Sequence, residues 1–259
     1  MKPKLAIVKI GGNVIENETE LVKFLASFSM MEEPKILVHG GGKLATELGK
    51  KLGIESKMVG GRRITDAQSL ELITMVYGGL ANKNIVAQLQ AKNCNAIGLS
   101  GADGNSIKAH KRPVKEIDYG FVGDIDGINQ ETISKLIASG FVPVFCAISH
   151  DGNGQLLNTN ADTIASEIAI GMSAQYDTTL YYCFEKKGVL MDVADENSVI
   201  EHIDSNSYQE LLDQKIIADG MLPKMHNCFH ALNNKVQKVC IGDISMLDTK
   251  SILFTTLTL

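Results

Sequence analysis

This chain of 259 residues lacks any sign of disulfide chemistry. Its cysteines, Cys94, Cys146, Cys183, Cys228 and Cys240, are odd in number and scattered, and no two form a C-x-x-C pair. Such a set reads as buried free thiols in a reducing compartment, and it excludes a disulfide frame or a cysteine-built zinc site. An export signal is missing too, because the apolar run in MKPKLAIVKIGG is short and Lys9 interrupts it. Nowhere do about eighteen apolar residues follow one another, so no membrane-spanning helix is expected. Positive charge is in deficit: 25 Lys and Arg stand against 30 Asp and Glu, for a net charge of -5 and a pI near 5.7. That balance leaves no footprint for gripping a nucleic-acid backbone or an acidic membrane, although a local basic pocket for a small anion remains open. The expectation is a cytoplasmic protein with small-molecule ligands, no nucleic-acid partner and no membrane partner.

What the chain does have is an ordinary globular balance, 44% hydrophobic and 21% charged, at a length suited to one large domain or two closely joined lobes. Residues 4–10 (KLAIVKI) form a β-branched apolar run ending in Gly11-Gly12, as a buried parallel strand does. Leu21, Phe24, Leu25 and Phe28 then recur at helical spacing across 18–32. A second strand, 35–38, closes on His39 and Gly40 to Gly42, and a helix runs to about Leu52. This alternation predicts an α/β fold with an open, mainly parallel sheet. Further on, Thr65-Asp66 can cap a helical region reaching Lys92, with a bend at Gly78-Gly79. A strand near 95–99 leads into the turn-rich SGADGNS and a polar, glycine-spaced stretch to about 128. A helix near 129–139, a strand at 141–148, a hairpin or long turn at 150–158 and a helix near 162–172 follow. Strands at 178–183 and 237–241 flank helices near 205–214 and 221–233. A soft boundary divides an N-terminal lobe, 1–172, from a C-terminal lobe, 173–259, on one continuous sheet.

Two glycine turns directly follow the first two strands. Glycine lets backbone approach a ligand and aims N–H groups at it, and a following helix N-terminus adds partial positive charge. Each turn is equally compatible with a plain strand-to-helix connection; two on successive strands favour a ligand crevice at the carboxyl ends. Neither reads G-x-x-x-x-G-K-[ST] or G-x-G-x-x-G, so Walker and dinucleotide-binding signatures are absent. Lys9 lies within an apolar strand beside the first turn, either snorkelling to water or reaching a phosphate. Asn158, Asn160 and Asp162 fall together in LNTNAD before a helix, where one of them can cap. Lys224 follows Asp219-Gly220 and Pro223, which places a cation in the first turn of a helix, a position a bound anion would favour. Arg62 and Arg63 in VGGRRITD offer planar forks for a carboxylate or phosphate, or for a surface ion pair. His226 and His230 flank Cys228 but lack the glutamate of H-E-x-x-H, and Asp124 and Asp126 lack the other ligands of a calcium loop, so no metal site is expected. No G-x-S-x-G elbow is present.

Taken in order, IVKIGG, VHGGG, GRRITD, GLSGADG, GFVGDI, LNTNAD and DGMLPKM span nearly the whole chain. Together they resemble the amino acid kinase family, and within it the branch acting on N-acylated glutamate. HGGG, G-x-R-x-T and N-x-N-A-D jointly separate that branch from carbamate, uridylate and aspartate kinases. The resemblance implies a three-layer αβα sandwich whose N-terminal lobe binds the acyl amino acid and whose C-terminal lobe binds ATP, with Mg2+ carried by the nucleotide. It implies phosphorylation of the side-chain carboxylate of N-acetyl-L-glutamate, a step of arginine biosynthesis, with N-succinyl-L-glutamate as the alternative acceptor. In these roles Lys9 and Lys224 stabilise the phosphoryl group in flight and Asp162 holds both lysines. Gly11, Gly12 and Glu185 face the nucleotide. Gly41, Gly42, Arg63, Asn158 and Asn160 bind the acylated glutamate. This chain departs from the family at CFEKKGVL, where Glu185 stands in place of an aspartate, and at Arg62, a position commonly apolar and so a candidate for acyl specificity. Loss of Lys9, Lys224 or Asp162 would mark a non-catalytic, ligand-sensing member; all three are present. The short lead before the first strand implies a homodimer insensitive to arginine.

Overall fold

A computed structural model describes residues 2–217, 221–248 and 253–259, so the Asp219-Gly220 turn expected before Lys224 lies outside the described residues. The chain divides into two compact units, one combining Met1–Ile36 with Ala165–Leu259 and the other comprising Leu37–Ile164. This differs from a split at 172/173 by placing the N-terminal segment with the C-terminal one. Strand pairing is the cause. β1 (Lys4–Ile10) runs parallel to β11 (Asp177–Cys183), in register from Lys4 opposite Asp177 to Ile10 opposite Cys183.

In that unit the strands lie in the order β12 (His202–Ile203), β14 (Thr255–Leu257), β13 (Lys238–Gly242), β11, β1. All neighbours are parallel except β13 and β14. Leu5 to Val8 and Ile10 are buried, the continuous apolar run of a strand covered on both faces. After α1 (Gly12–Glu16), α2 (Glu18–Met30) starts where Asn17 Oδ1 accepts from the Glu20 amide at 3.2 Å. It buries the stripe read from its spacing, Leu21, Phe24, Leu25 and Phe28. Asp204 and Ser207 form a reciprocal capping box on α8 (Ser205–Asp213). Pro223 sits in the first turn of α9 (Leu222–Asn233), which buries Met225, Cys228, Phe229, Ala231 and Leu232.

In the other unit β2 (Lys35–His39), β8 (Val142–Cys146) and β5 (Ala96–Leu99) run parallel in that order. α3 (Gly42–Leu52) follows β2. A two-residue hairpin of β3 (Met58–Val59) and β4 (Arg62–Arg63) turns on Gly60 and Gly61, both at positive φ (55° and 74°), which glycine adopts without strain. α4 (Ala67–Ile73), capped by Asp66, leads into a π-helical segment over Thr74–Ala81 and then α5 (Asn82–Gln90). The bend expected at Gly78-Gly79 is therefore a widened helical turn rather than a break. Besides the short β3, β4, β12 and β14, two longer strands escaped the sequence reading. β6 (Ile107–Lys111) and β7 (Gly123–Ile128) pair antiparallel where only a polar stretch was expected. The strand expected over 141–148 also divides: β9 (Ile148–His150) leaves β8 at Ala147 and joins a second sheet, ordered β10 (Leu156–Asn158), β9, β6, β7. The hairpin expected at 150–158 is present as β9 and β10. α6 (Gln130–Ala138) precedes β8, and α7 (Ala161–Met172) follows β10. All five cysteines are free and buried.

Candidate active site

Each unit carries part of the expected site at the carboxyl ends of its strands. In the unit built on β1, Lys9 is half-buried and lies in register with Tyr182 of β11. Lys224, in the first turn of α9, holds Nζ 5.3 Å from the Tyr182 ring centroid and 5.7 Å from that of Phe184. The Gly11 amide donates to Cys183 O at 3.3 Å, extending the β1–β11 ladder by one bond. That N–H is already engaged, a departure from the pair of donors expected at Gly11-Gly12, and Gly12 at the start of α1 is the remaining candidate of the two. Glu185 is exposed just beyond β11. Burial pushes the Cys183 thiol up, opposed by the nearby Lys9 charge, so this cysteine stays a neutral part of the core.

In the other unit the second glycine turn is fixed from below. His39 is fully buried; its Nδ1 lies 2.8 Å from Gly40 O, and its Nε2 lies 3.0 Å from Asn82 Nδ2. A carbonyl only accepts and an amide nitrogen only donates, so His39 must be the neutral tautomer with the proton on Nδ1. Burial, with a smaller contribution from Lys83, lowers its pKa to about 4 against the opposing bond to Gly40. Asn82 Nδ2 also donates to Val144 O at 2.9 Å. Gly98 makes room for this carboxamide, since a Cβ there would lie 1.8 Å from Asn82 Oδ1. Asn82, on α5, thus meets β2, β8 and β5 at once.

Above that support, Gly41 adopts φ 156° and ψ 21°, and a Cβ on it would come within 2.9 Å of Tyr77 Cδ1. The buried Tyr77 ring packs directly on the turn; burial raises the phenol's pKa and neighbouring Arg63 partly offsets this. Arg63 is 8% exposed. Its Nη2 donates to Gly42 O and to Thr46 Oγ1, each at 2.8 Å, and its Nη1 donates to Ser56 Oγ. Among the described residues Arg63 forms no ion pair; its hydrogen-bond partners are neutral oxygens. Arg63 O accepts from Thr65 Oγ1 at 3.3 Å, and Thr65 Oγ1 accepts from Asn158 Nδ2 at 3.0 Å, so Arg63 and Asn158 are brought together. Asn160 follows the capping alternative: its Oδ1 accepts from the amides of Asp162 (2.7 Å) and Thr163 (3.1 Å). Asp162 lies in the first turn of α7, and a Cβ on Gly40 would lie 3.8 Å from the Cβ of Ala161 beside it.

Arg62 is exposed and, as the neighbour of Arg63 in a strand, points to the other face. Its charge helps hold the Asp124 carboxyl below the usual range, although the larger cause is the Arg112 guanidinium. Arg112 donates to Asp124 through Nε at 3.1 Å and Nη2 at 2.5 Å, while its buried Nη1 has no hydrogen-bond partner. Cys228 is buried while His226 and His230 are exposed, and His230 Nε2 lies 2.9 Å from Glu167 Oε1. Sequence reasoning missed Tyr77, His39, Asn82 and Arg112. Only Asn82 left a signal, a polar residue in line with the apolar stripe of Ile85 and Leu89.

Residues 4–243 match the model of the amino acid kinase family. The chain belongs to that family. The acetylglutamate kinase of Phocaeicola vulgatus is 56% identical over 97% of this chain and 98% of its own length. The protein of the same name from Cytophaga hutchinsonii is 54% identical over 92% of this chain and 90% of its own. Among solved structures, smu.665 from Streptococcus mutans UA159 superposes with a TM-score of 0.79 at 25% identity, covering 98% of both chains. Carbamate kinase from Giardia lamblia shares the fold with a TM-score of 0.69 at 12% identity, covering 99% of this chain and 98% of its own. The family's open, mainly parallel α/β architecture is the one the strand pairings here define.

Proposed function

We propose that this family member transfers the γ-phosphoryl group of ATP to the side-chain carboxylate of N-acetyl-L-glutamate, the acyl-phosphate-forming step of arginine biosynthesis. The observation that carries this reading is Arg63, a buried cation with neutral described partners beside Gly41, Gly42 and Asn158. Such a guanidinium gains most from an anionic ligand, and a carboxylate matches its fork. The acetylglutamate kinases named above, similar over nearly their whole length, support the acceptor.

The chemistry needs little from the protein beyond placement and charge. A side-chain carboxylate, with a reference pKa of about 4.3, is ionised at neutral pH and attacks the γ-phosphorus without a base. The new carboxyl O–P bond forms as the bridging O–P bond breaks, and the electron pair leaves on ADP. Lys9 and Lys224 balance the charge spreading over the transferring group, Asp162 orients them, Gly12 donates to the nucleotide phosphates, and Glu185 lies on the nucleotide side. ATP arrives with Mg2+ coordinated by its own phosphates. Among the described residues no group of three or more His, Cys, Asp or Glu side chains could hold a metal ion. No described helix is long and apolar enough to cross a membrane. On this reading the protein is a cytoplasmic homodimer, and light scattering giving a monomer mass would remove the second part.

The test is ATP-dependent acyl-phosphate formation trapped with hydroxylamine, run in parallel on glutamate, N-acetylglutamate and N-succinylglutamate. Trapping with the acetylated substrate and none with free glutamate is expected; no product from either acylated substrate would sink the proposal. The arginines around Asp124 favour a second reading of the acyl group. Arg62 and Arg112 place two positive charges against one carboxylate, with one buried Nη1 unsatisfied. A succinyl group, ending in its own carboxylate, would use that surplus. On this second reading Arg62→Leu lowers the succinyl-to-acetyl ratio of kcat/KM; an unchanged ratio disposes of it.

A further inference from the structure

We infer that Tyr182, with Phe184, is a positioning residue that sets the spacing of the two lysines proposed to carry the phosphoryl group. The inference rests on the kinase reading above. Tyr182 is fully buried on β11 and in register with Lys9 on the parallel neighbour β1. Side chains at facing positions of a pleated sheet project from the same side, so Lys9 stands beside the Tyr182 ring. On α9, Lys224 holds its ammonium 5.3 Å from that same ring. One aromatic side chain therefore lies next to both cations. Phe184, two residues further along, extends from the same face and meets Lys224 Nζ at 5.7 Å.

The arrangement answers two electrostatic problems at once. A lysine in the first turn of a helix faces the positive end of the helix dipole, which disfavours it. Aromatic faces carry negative quadrupole density and attract an ammonium without neutralising it, unlike a carboxylate in the same place. The two ring faces thus steady Lys224 at the helix end that disfavours it. Tyr182 also keeps a rigid ring against two like charges that would otherwise separate.

The experiment uses the full chain and steady-state kinetics with ATP and N-acetylglutamate. Tyr182→Phe keeps the ring and should leave kcat near wild type. Phe184→Leu and Tyr182→Leu should each lower kcat about tenfold while both KM values stay within about threefold. In samples with 13Cε-labelled lysine, the Lys224 methylene protons, assigned by their loss in Lys224→Ala, should sit upfield from ring currents and move downfield in Phe184→Leu. Phe184 is only half-buried, so its variant decides the matter even if Tyr182→Leu does not fold. A folded Phe184→Leu protein with unchanged kcat and an unmoved Lys224 signal overturns the inference. So does one that raises only the KM for ATP, since Phe184 would then be touching nucleotide. If Lys224→Ala itself turns over normally, the kinase assignment of Lys224 fails instead, and the two failures are distinguishable.

Discussion

Lowering the pH should unfold this protein through His39 before it harms most of the surface. The buried imidazole has a folded-state pKa of about 4, against 6.5 for the ordinary side chain. Because the folded value is depressed, the unfolded chain takes up the proton first as pH falls. Stability from this group is fully present above pH 6.5 and drains away toward pH 4. The gap of 6.5 minus 4 corresponds to about 3 kcal/mol in full, and about 2 kcal/mol of it is lost by pH 5. Structurally, protonation puts a second N–H at Nε2 against the Asn82 amide, so a donor faces a donor in a site without water-exposed surface. The assay is urea unfolding at pH 8, 7, 6 and 5, on wild type and His39→Gln. Glutamine can donate and accept here but does not titrate, and the other histidines contribute equally to both proteins and cancel. The variant should begin less stable at pH 8 yet lose about 2 kcal/mol less on going to pH 5. Parallel stability losses in the two proteins would refute the neutral, buried His39 on which the support of the glycine turn is argued.

Three further outcomes follow from contacts already described. Gly98→Ala places a Cβ 1.8 Å from Asn82 Oδ1 and 2.8 Å from Lys83 Nζ, so the carboxamide must leave His39 and Val144. A loss of about 3 kcal/mol is expected in denaturant, and Gly98→Ala with Asn82→Ala should cost less than the sum of the two. Additive losses would show that Asn82 and Gly98 act independently. Arg63→Lys keeps a charge but cannot hold Gly42 O, Thr46 Oγ1 and Ser56 Oγ together, so KM for acylglutamate should rise about thirtyfold or more while KM for ATP barely moves. An equal rise for both substrates would argue against Arg63 as the acyl-glutamate contact. Lys9→Ala should lower kcat by about a hundredfold or more with little change in either KM, measured by the hydroxylamine trap, and near-normal turnover would remove Lys9 from the transfer step.

The elements legible in the sequence are those whose burial is one-sided or complete. β1 and β2 are covered and read as apolar runs; α2 shows Leu21, Phe24, Leu25 and Phe28 at helical spacing because that stripe alone faces the core. The pair β6 and β7 hid for the opposite reason. Lys108, His110, Lys111 and Asp126 are exposed, Asp124 is only partly covered, and Gly123 and Gly127 interrupt the pattern. Gly123 in fact marks close packing, since a Cβ there would crowd Ser149, Leu157 and Thr159 at 2.8 to 2.9 Å. Glycine spacing suggests a loop when read along the chain and a tight seam when read across it.

The site divides along the same line between what lies along the chain and what lies across it. Gly41-Gly42, Arg63, Asn158 and the two lysines were visible as residue types in short motifs, since each is a charge or turn in an unusual place. What supports them came from side chains outside the glycine turns and charges themselves: Tyr77 against Gly41, Asn82 beneath His39, Thr65 between Arg63 and Asn158, and Tyr182 against Lys224. These are aromatic, amide or hydroxyl side chains that carry no charge, so their local sequence shows little of the work they do in holding another residue. Arg63 rests on a carbonyl and hydroxyls, so among the described residues the fold positions this cation with groups that carry no charge. An acidic partner at Arg63 would hold the cation more strongly and leave less of its field for a ligand. Binding an anionic acceptor requires that field, which is why the supports of Arg63 are neutral and why motif reading alone passes over them.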